Sequence, residues 1–318
     1  MNPEQSSNIS VIDPISPAIN RTRAILFEPF ELKKWFIIGF CAWLAYFGSG
    51  SGGPNFGGGG PQHDGFHHGD NLEQVKDFVI SYLPWIILVA VIVVAFIIAL
   101  VLVVTWLSSR GRFMFLHCVA ENKAEVKIPW SRYRQHGNSL FAFRIVLSLI
   151  GFGIFAVFAV ITVLLVVCLA QGGFNIFAVL GLVANVLLFI ALVIALSLVG
   201  KFTMDFVVPV MFLGAASCVA GWRQFMTVLS VNKARLLLYI LFQIVIAVAI
   251  SAIVVAAVCI TCCCAACILA IPYIGTVLTL PLLVFKRSYS LYYLRQFGPD
   301  FDVFSPEVVE ETGLLEES

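Results

Sequence analysis

Several groups of side chains in this 318-residue chain have the types and spacing to do chemistry. His63, His67 and His68 stand beside Asp64 and Asp70, and imidazole with carboxylate is a donor set for zinc or copper. They follow Gly48 to Gly60, which holds eight glycines in thirteen residues. Ordering so floppy a loop around an ion costs backbone entropy, so composition favours a flexible outer linker with at most loose metal uptake. The glycines do not make a phosphate loop, because no Lys-Ser or Lys-Thr follows them and no strand precedes them.

Five of the nine cysteines fall at Cys259, Cys262, Cys263, Cys264 and Cys267. They form two Cys-x-x-Cys pairs with a single residue between them, whereas a zinc ribbon separates its pairs by about 15–20 residues. The surroundings are apolar, which predicts small, soft side chains packing a tight helical hairpin. A redox or metal patch at the outer face, through Cys262, Cys264 and Cys267, is the alternative. No built metal site and no cofactor is implied.

Lys201 and Asp205 are one helical turn apart, and Asp205 is the one acid between Glu125 and Asp300. An ionisable group at membrane depth is a functional candidate; an interfacial ion pair explains both residues equally. Pro209, Trp222 and Arg223 follow and share that candidacy. Arg110 and Arg112, with Arg132 and Arg134 after Trp130, have the chemistry to hold anionic lipid head groups. Neither His117 nor His136 is read as a general base with an orienting carboxylate. No nucleophile elbow, Walker motif, zincin motif or dinucleotide fingerprint is present.

The elements that must position these residues are long apolar helices. The chain is 60% hydrophobic and 12% charged, with a mean hydropathy of +0.99; a soluble domain is about 45–50% apolar and about 25% charged. A net charge of +1 provides no field for nucleic acid. Leu83 to Leu107 is 25 residues without a charge, with Trp85 and Trp106 near its ends at an aromatic-belt spacing. Ser139 to Gly200 carries one charge in 62 residues and breaks at Gln171 to Asn175. Leu236 to Phe285 carries none in 50, so it too must fold back on itself. The polar first twenty residues contain no leader-like apolar stretch, so the first apolar helix is expected to act as an uncleaved anchor.

Charge counting then sets the topology. With spans at about 35–47, 83–107, 140–169, 176–200, 236–261 and 268–287, 18 of the 19 Lys and Arg residues share one side, and Lys76 alone lies opposite. If 206–222 also crossed, the split would fall to 12 against 7. The positive-inside rule therefore favours six spans in three hairpins, with 206–222 an interfacial helix. The span at 35–47 is short for a relaxed crossing. The expected layout is a cytoplasmic segment at 1–34, a membrane domain at 35–298 with an outer loop at 48–81, and a cytoplasmic tail at 299–318. That tail has seven acids and no base.

Some short motifs carry a resemblance. Asp205-Phe-Val-Val-Pro209-Val-Met211 precedes Ala220-Gly-Trp222-Arg223-Gln-Phe225; near the start stand Asp13-Pro14-Ile-Ser-Pro17-Ala, Phe27-Glu-Pro29-Phe and Lys34-Trp35-Phe36. Over roughly residues 13–297 the chain resembles an uncharacterised family of bacterial six-span membrane proteins. That family is similar in plan to the membrane domain attached to some glycerophosphoryl diester phosphodiesterases. The resemblance implies a bacterial cytoplasmic membrane, and the charge count puts both termini on its inner side. It brings no activity, since no phosphodiesterase domain is present.

The fold expected is thus an all-α polytopic bundle. The function expected is non-enzymatic: binding or organising membrane lipids, or scaffolding a membrane protein partner or a second copy of the chain. A transporter or channel for a small solute, ion or lipid is the alternative, on the strength of the hairpins, the kinking prolines and Asp205.

Overall fold

The computed structural model describes residues 9–48, 72–172, 175–214, 217–261, 264–269 and 271–304. The outer loop with His63, His67 and His68 lies outside the described residues, as do Cys262 and the tail beyond residue 304. All the described regular structure is helical. The helices are α1 (Ile15–Leu26), α2 (Leu32–Tyr46), α3 (Leu72–Glu121), α4 (Lys127–Arg132), α5 (Arg134–Gly172) and α6 (Ile176–Phe202). After a π-helical turn at Thr203–Val207 come α7 (Val208–Phe212), α8 (Cys218–Val231), α9 (Lys233–Ile260), α10 (Cys264–Leu269), α11 (Pro272–Leu278) and α12 (Leu280–Arg295).

Four stretches are long and apolar enough to cross a membrane: Leu83–Glu121, Arg134–Gln171, Ile176–Phe212 and Lys233–Ile260. Four of the expected spans fall on them. The segment expected at 35–47 is the 15-residue α2, about 22 Å long at 1.5 Å per residue. The segment expected at 268–287 divides among α10, α11 and α12. Pro272 and Pro281 cause that division, each standing in the first turn of a new helix, where a missing N–H is not needed.

Burial is lopsided along the long helices. Residues 83–103 of α3 are exposed apolar side chains wherever described, and 146–170 of α5 are mostly so. From Phe113 to Ala120 α3 is buried. The core forms at this basic end, where α1, α2, α8 and α12 close around the ends of α3, α5, α6 and α9. Its centre is aromatic: Phe206 stacks on Phe225 with centroids 5.1 Å apart, and Tyr239 stacks on Tyr293 at 4.5 Å. Such pairs add about 0.5–1.5 kcal/mol each beyond the area they bury.

Close backbone contact fastens α2 to α3. A Cβ on Gly111 would lie 2.6 Å from the Ala45 amide nitrogen and from the Leu44 carbonyl carbon, so only glycine fits there. Ser108 donates to the Ala45 carbonyl at 2.9 Å, and the Cys41 and Cys118 sulfurs meet at 3.8 Å across the same seam. At the end of α3, Arg21 donates to the carbonyls of Val119 and Ala120, placing a cation at a helix C-terminus.

The stretch 206–222 divides into the π turn, α7 and the start of α8. Phe206, Val207, Val208, Val210 and Met211 are buried in the core. The chain turns at Gly214, whose φ of +128° suits glycine. Ser217 then caps α8 by accepting from the Ala220 amide.

Candidate functional site

A polar site is built where α6 ends. Val208 donates its amide to the Thr203 carbonyl, five residues back, which makes this turn a π bulge. In that register the Met204 carbonyl would look to residue 209, and Pro209 has no N–H. Arg287 of α12 fills the gap, donating Nη1 to Met204 O at 2.8 Å. The same bulge presents Asp205, whose Oδ2 accepts from Lys201 Nζ at 2.8 Å and from the Tyr239 hydroxyl at 3.1 Å. Tyr239 in turn accepts from Gln243 Nε2 at 2.9 Å, so α6 and α9 are joined by a satisfied polar chain.

Beside this chain lies a cavity of about 560 Å³. Arg112 from α3, Lys201 and Asp205 from the end of α6, and Lys286 and Arg287 from α12 line it, with the Tyr46 ring from α2. Four cations thus face one carboxylate, an excess of three positive charges. Arg287 is only 9% exposed, and Arg112 Nε is buried without a hydrogen-bond partner. The Arg112 guanidinium sits 5.9 Å from the centre of the Tyr46 ring. A buried cation without a full set of acceptors is costly, and an anion with several oxygens supplies them.

A second cavity, about 580 Å³, is a groove between α5 and α6. It begins at Arg144 and runs past Leu147, Gly151 and Phe155, facing Phe189, Val193 and Leu196. Ser197, Gly200 and Met204 line both cavities, so the groove adjoins the cationic one.

The four arginines of the sequence analysis do not form one patch. Arg110 and Arg112 are two residues apart on α3 and so point to different faces. Arg110 lies over Trp106 and Trp130, at 4.3 and 5.0 Å from the ring centres, and donates to Asn138. Arg132 lies over Tyr133, and Arg134 is exposed at the start of α5. Arg112 alone joins Lys201 and Asp205. Pro209 is buried outside the cavity lining and bears on that group only through the Met204 carbonyl that Arg287 bonds. Trp222 donates Nε1 to Thr203 Oγ1 at 3.1 Å and stacks on Phe143, and Arg223 is exposed.

Lys286, Arg287, Tyr46 and Tyr239 were not legible as site residues. The signal available was the Lys286-Arg287 pair itself, placed directly after 50 uncharged residues. His117 needs a correction. Glu121, four residues on, faces it along α3, with Nδ1 2.9 Å from Oε1 and both side chains buried. The helical repeat brings them together, but neither lines the cationic cavity.

Among the described residues, no cluster of three or more His, Cys, Asp or Glu side chains could hold a metal ion. Cys259 and Cys267 are exposed free thiols, and Cys264 opens α10.

Fold and site together define an all-helical protein with four apolar helices long enough to span a membrane and a cationic cavity at their basic end. The chain belongs to a family of unknown function (DUF7544), which matches it over residues 9–280. Lys286 and Arg287 lie just beyond the matched residues. No curated protein and no solved structure shows significant similarity to it.

Proposed function

We propose that this chain is an integral membrane protein that binds the anionic head group of a membrane lipid in the cavity between Arg112, Lys201, Lys286 and Arg287. In this reading it organises lipid, or scaffolds a membrane partner, and catalyses no reaction. The observation that carries it is the excess of three positive charges in one cavity at the end of the apolar helices. The cavity's one carboxylate is already engaged by Lys201 and Tyr239, so it is not an unencumbered base.

The reading includes six spans, with α2 and the α10–α12 segment supplying the two short ones. It places both termini on the inner side of a bacterial cytoplasmic membrane. The support is that this layout would put 18 of the 19 basic residues on one side. In a variant whose native cysteines are replaced by serine, Lys76→Cys should then label from outside and Gln5→Cys only from inside; labelling of both from one side would sink the six-span layout.

The test of function is native mass spectrometry of protein stripped of lipid and offered phosphatidylglycerol. Wild type should retain it. The pair Arg112→Gln with Lys286→Gln should lose it, and the pair Arg132→Gln with Arg134→Gln should not. Equal retention in all three would overturn the proposal.

A second reading, transport of a small solute, ion or lipid, is favoured by the π bulge at Thr203–Val207, because such bulges recur at functional sites. Flux into proteoliposomes that is lost in Asp205→Asn would support it. Absence of flux for phosphate and for labelled lipid would count against it.

A further inference from the structure

We propose that one acyl chain of the bound lipid lies in the groove between α5 and α6, so that the protein holds a whole anionic glycerophospholipid, with head group and tail in adjoining cavities. This rests on the head-group reading above and adds a second, apolar site to it. The groove is lined by Leu147, Phe155, Phe189, Val193 and Leu196, and it meets the cationic cavity at Ser197, Gly200 and Met204. An amphiphile with a negative head matches both halves. The excess of positive charge selects the head, and the apolar walls select a chain over a hydrated solute.

Two glycines keep the path open. A Cβ on Gly200 would meet nothing within 4 Å, and one on Gly151 would touch only Leu196 Cδ1 at 3.7 Å. Glycine within a helix is unfavourable by about 1 kcal/mol relative to alanine. Neither position has a φ that demands glycine or a backbone neighbour that excludes a side chain. What the missing side chains leave is space in the groove, at the middle of its α5 wall and at its junction with the cavity. Arg144 stands at the basic end of the groove, donating to Ser109 Oγ at 3.1 Å, and adds a further positive charge near the junction.

The experiment compares three probes on delipidated protein by native mass spectrometry: dioleoyl phosphatidylglycerol, glycerol phosphate (a head without chains) and dioleoylglycerol (chains without an anionic head). Wild type should hold one phosphatidylglycerol, with each half-molecule bound at least about tenfold more weakly. Gly151→Leu fills the groove without touching the cations. It should lower phosphatidylglycerol binding by roughly tenfold and leave glycerol phosphate binding unchanged. Lys286→Gln should weaken both anionic probes. A series of shorter phosphatidylglycerols on wild type guards against misfolding of the variant, since affinity should fall with chain length. If chain length and Gly151→Leu have no effect while Lys286→Gln still does, the tail site is refuted and the head-group site stands. If Lys286→Gln changes nothing, the head-group reading fails and the tail site falls with it.

Discussion

Pro209 and Arg287 act on the same backbone carbonyl. The proline withholds the donor that the π register would assign to Met204 O, and the arginine supplies one at 2.8 Å. A local defect in one helix thereby fixes the side chain of a residue on another, more than 80 positions away in the chain, at the wall of the cationic cavity.

Restoring the N–H should release that arginine. Pro209→Ala offers Met204 a backbone partner and favours regular helix. Phosphatidylglycerol retention should drop by roughly tenfold, equivalent to about 1.5 kcal/mol for a charged hydrogen bond, while the unfolding midpoint stays level or rises. Unchanged retention would show that Arg287 does not need the Met204 carbonyl.

Tyr239 is the link between Asp205 and Gln243, and its ring stands in the stack with Tyr293. Tyr239→Phe keeps the ring and removes both hydrogen bonds. A loss of about 1 kcal/mol is expected in denaturant unfolding in mixed micelles, small because polar links among membrane helices average well under 2 kcal/mol. Tyr239→Ala should cost about 3–5 kcal/mol by opening the aromatic core.

The α2–α3 seam tolerates no side chain at Gly111, where a new Cβ would press on backbone atoms that cannot rotate away. Gly111→Val should lower stability by about 1–3 kcal/mol or more. It should also part Cys41 from Cys118, now 3.8 Å apart. Oxidative cross-linking of that pair, read by mass spectrometry, should fall in the variant.

Alkaline pH should loosen the basic end. Burial pushes the Cys218 thiol up to about 12 from 9.0, and burial raises the Tyr293 phenol to about 12 from 10.0. Both groups are neutral in the fold and ionise more readily once exposed. Their contribution is therefore complete below pH 9.0 for Cys218 and 10.0 for Tyr293, and is lost as pH climbs toward about 12. Thermal midpoints should be flat from pH 7 to 9 and fall above it. Maleimide at pH 8 should label exposed Cys168 and Cys259 well before Cys218.

The long apolar helices were legible because an uncharged run of 25 residues or more has few other folds open to it. The break between α5 and α6 was legible as well: Asn175 accepts from the Phe177 amide and starts α6. The cavity was not legible. Lys201 and Asp205 announce each other by spacing, but nothing in the chain links them to Arg112 or to Lys286 and Arg287. Those residues meet through packing of α2, α3, α6 and α12, and identical basic residues at Arg132 and Arg134 stay apart from them. The π bulge also escapes a reading based on a fixed 3.6-residue repeat. Pro209 was its visible trace.

Because much of the tertiary packing gathers at the basic end, the described apolar stretches of α3, α5, α6 and α9 beyond it are largely exposed, with α5 and α6 still joined by the Asn185–Thr162 hydrogen bond at 2.9 Å. In a bilayer, a change in hydrocarbon thickness is expected to be taken up by tilt of these stretches, at a fraction of a kcal/mol per Å. The groove between α5 and α6 lies between two of these stretches, so its width is expected to change with membrane thickness.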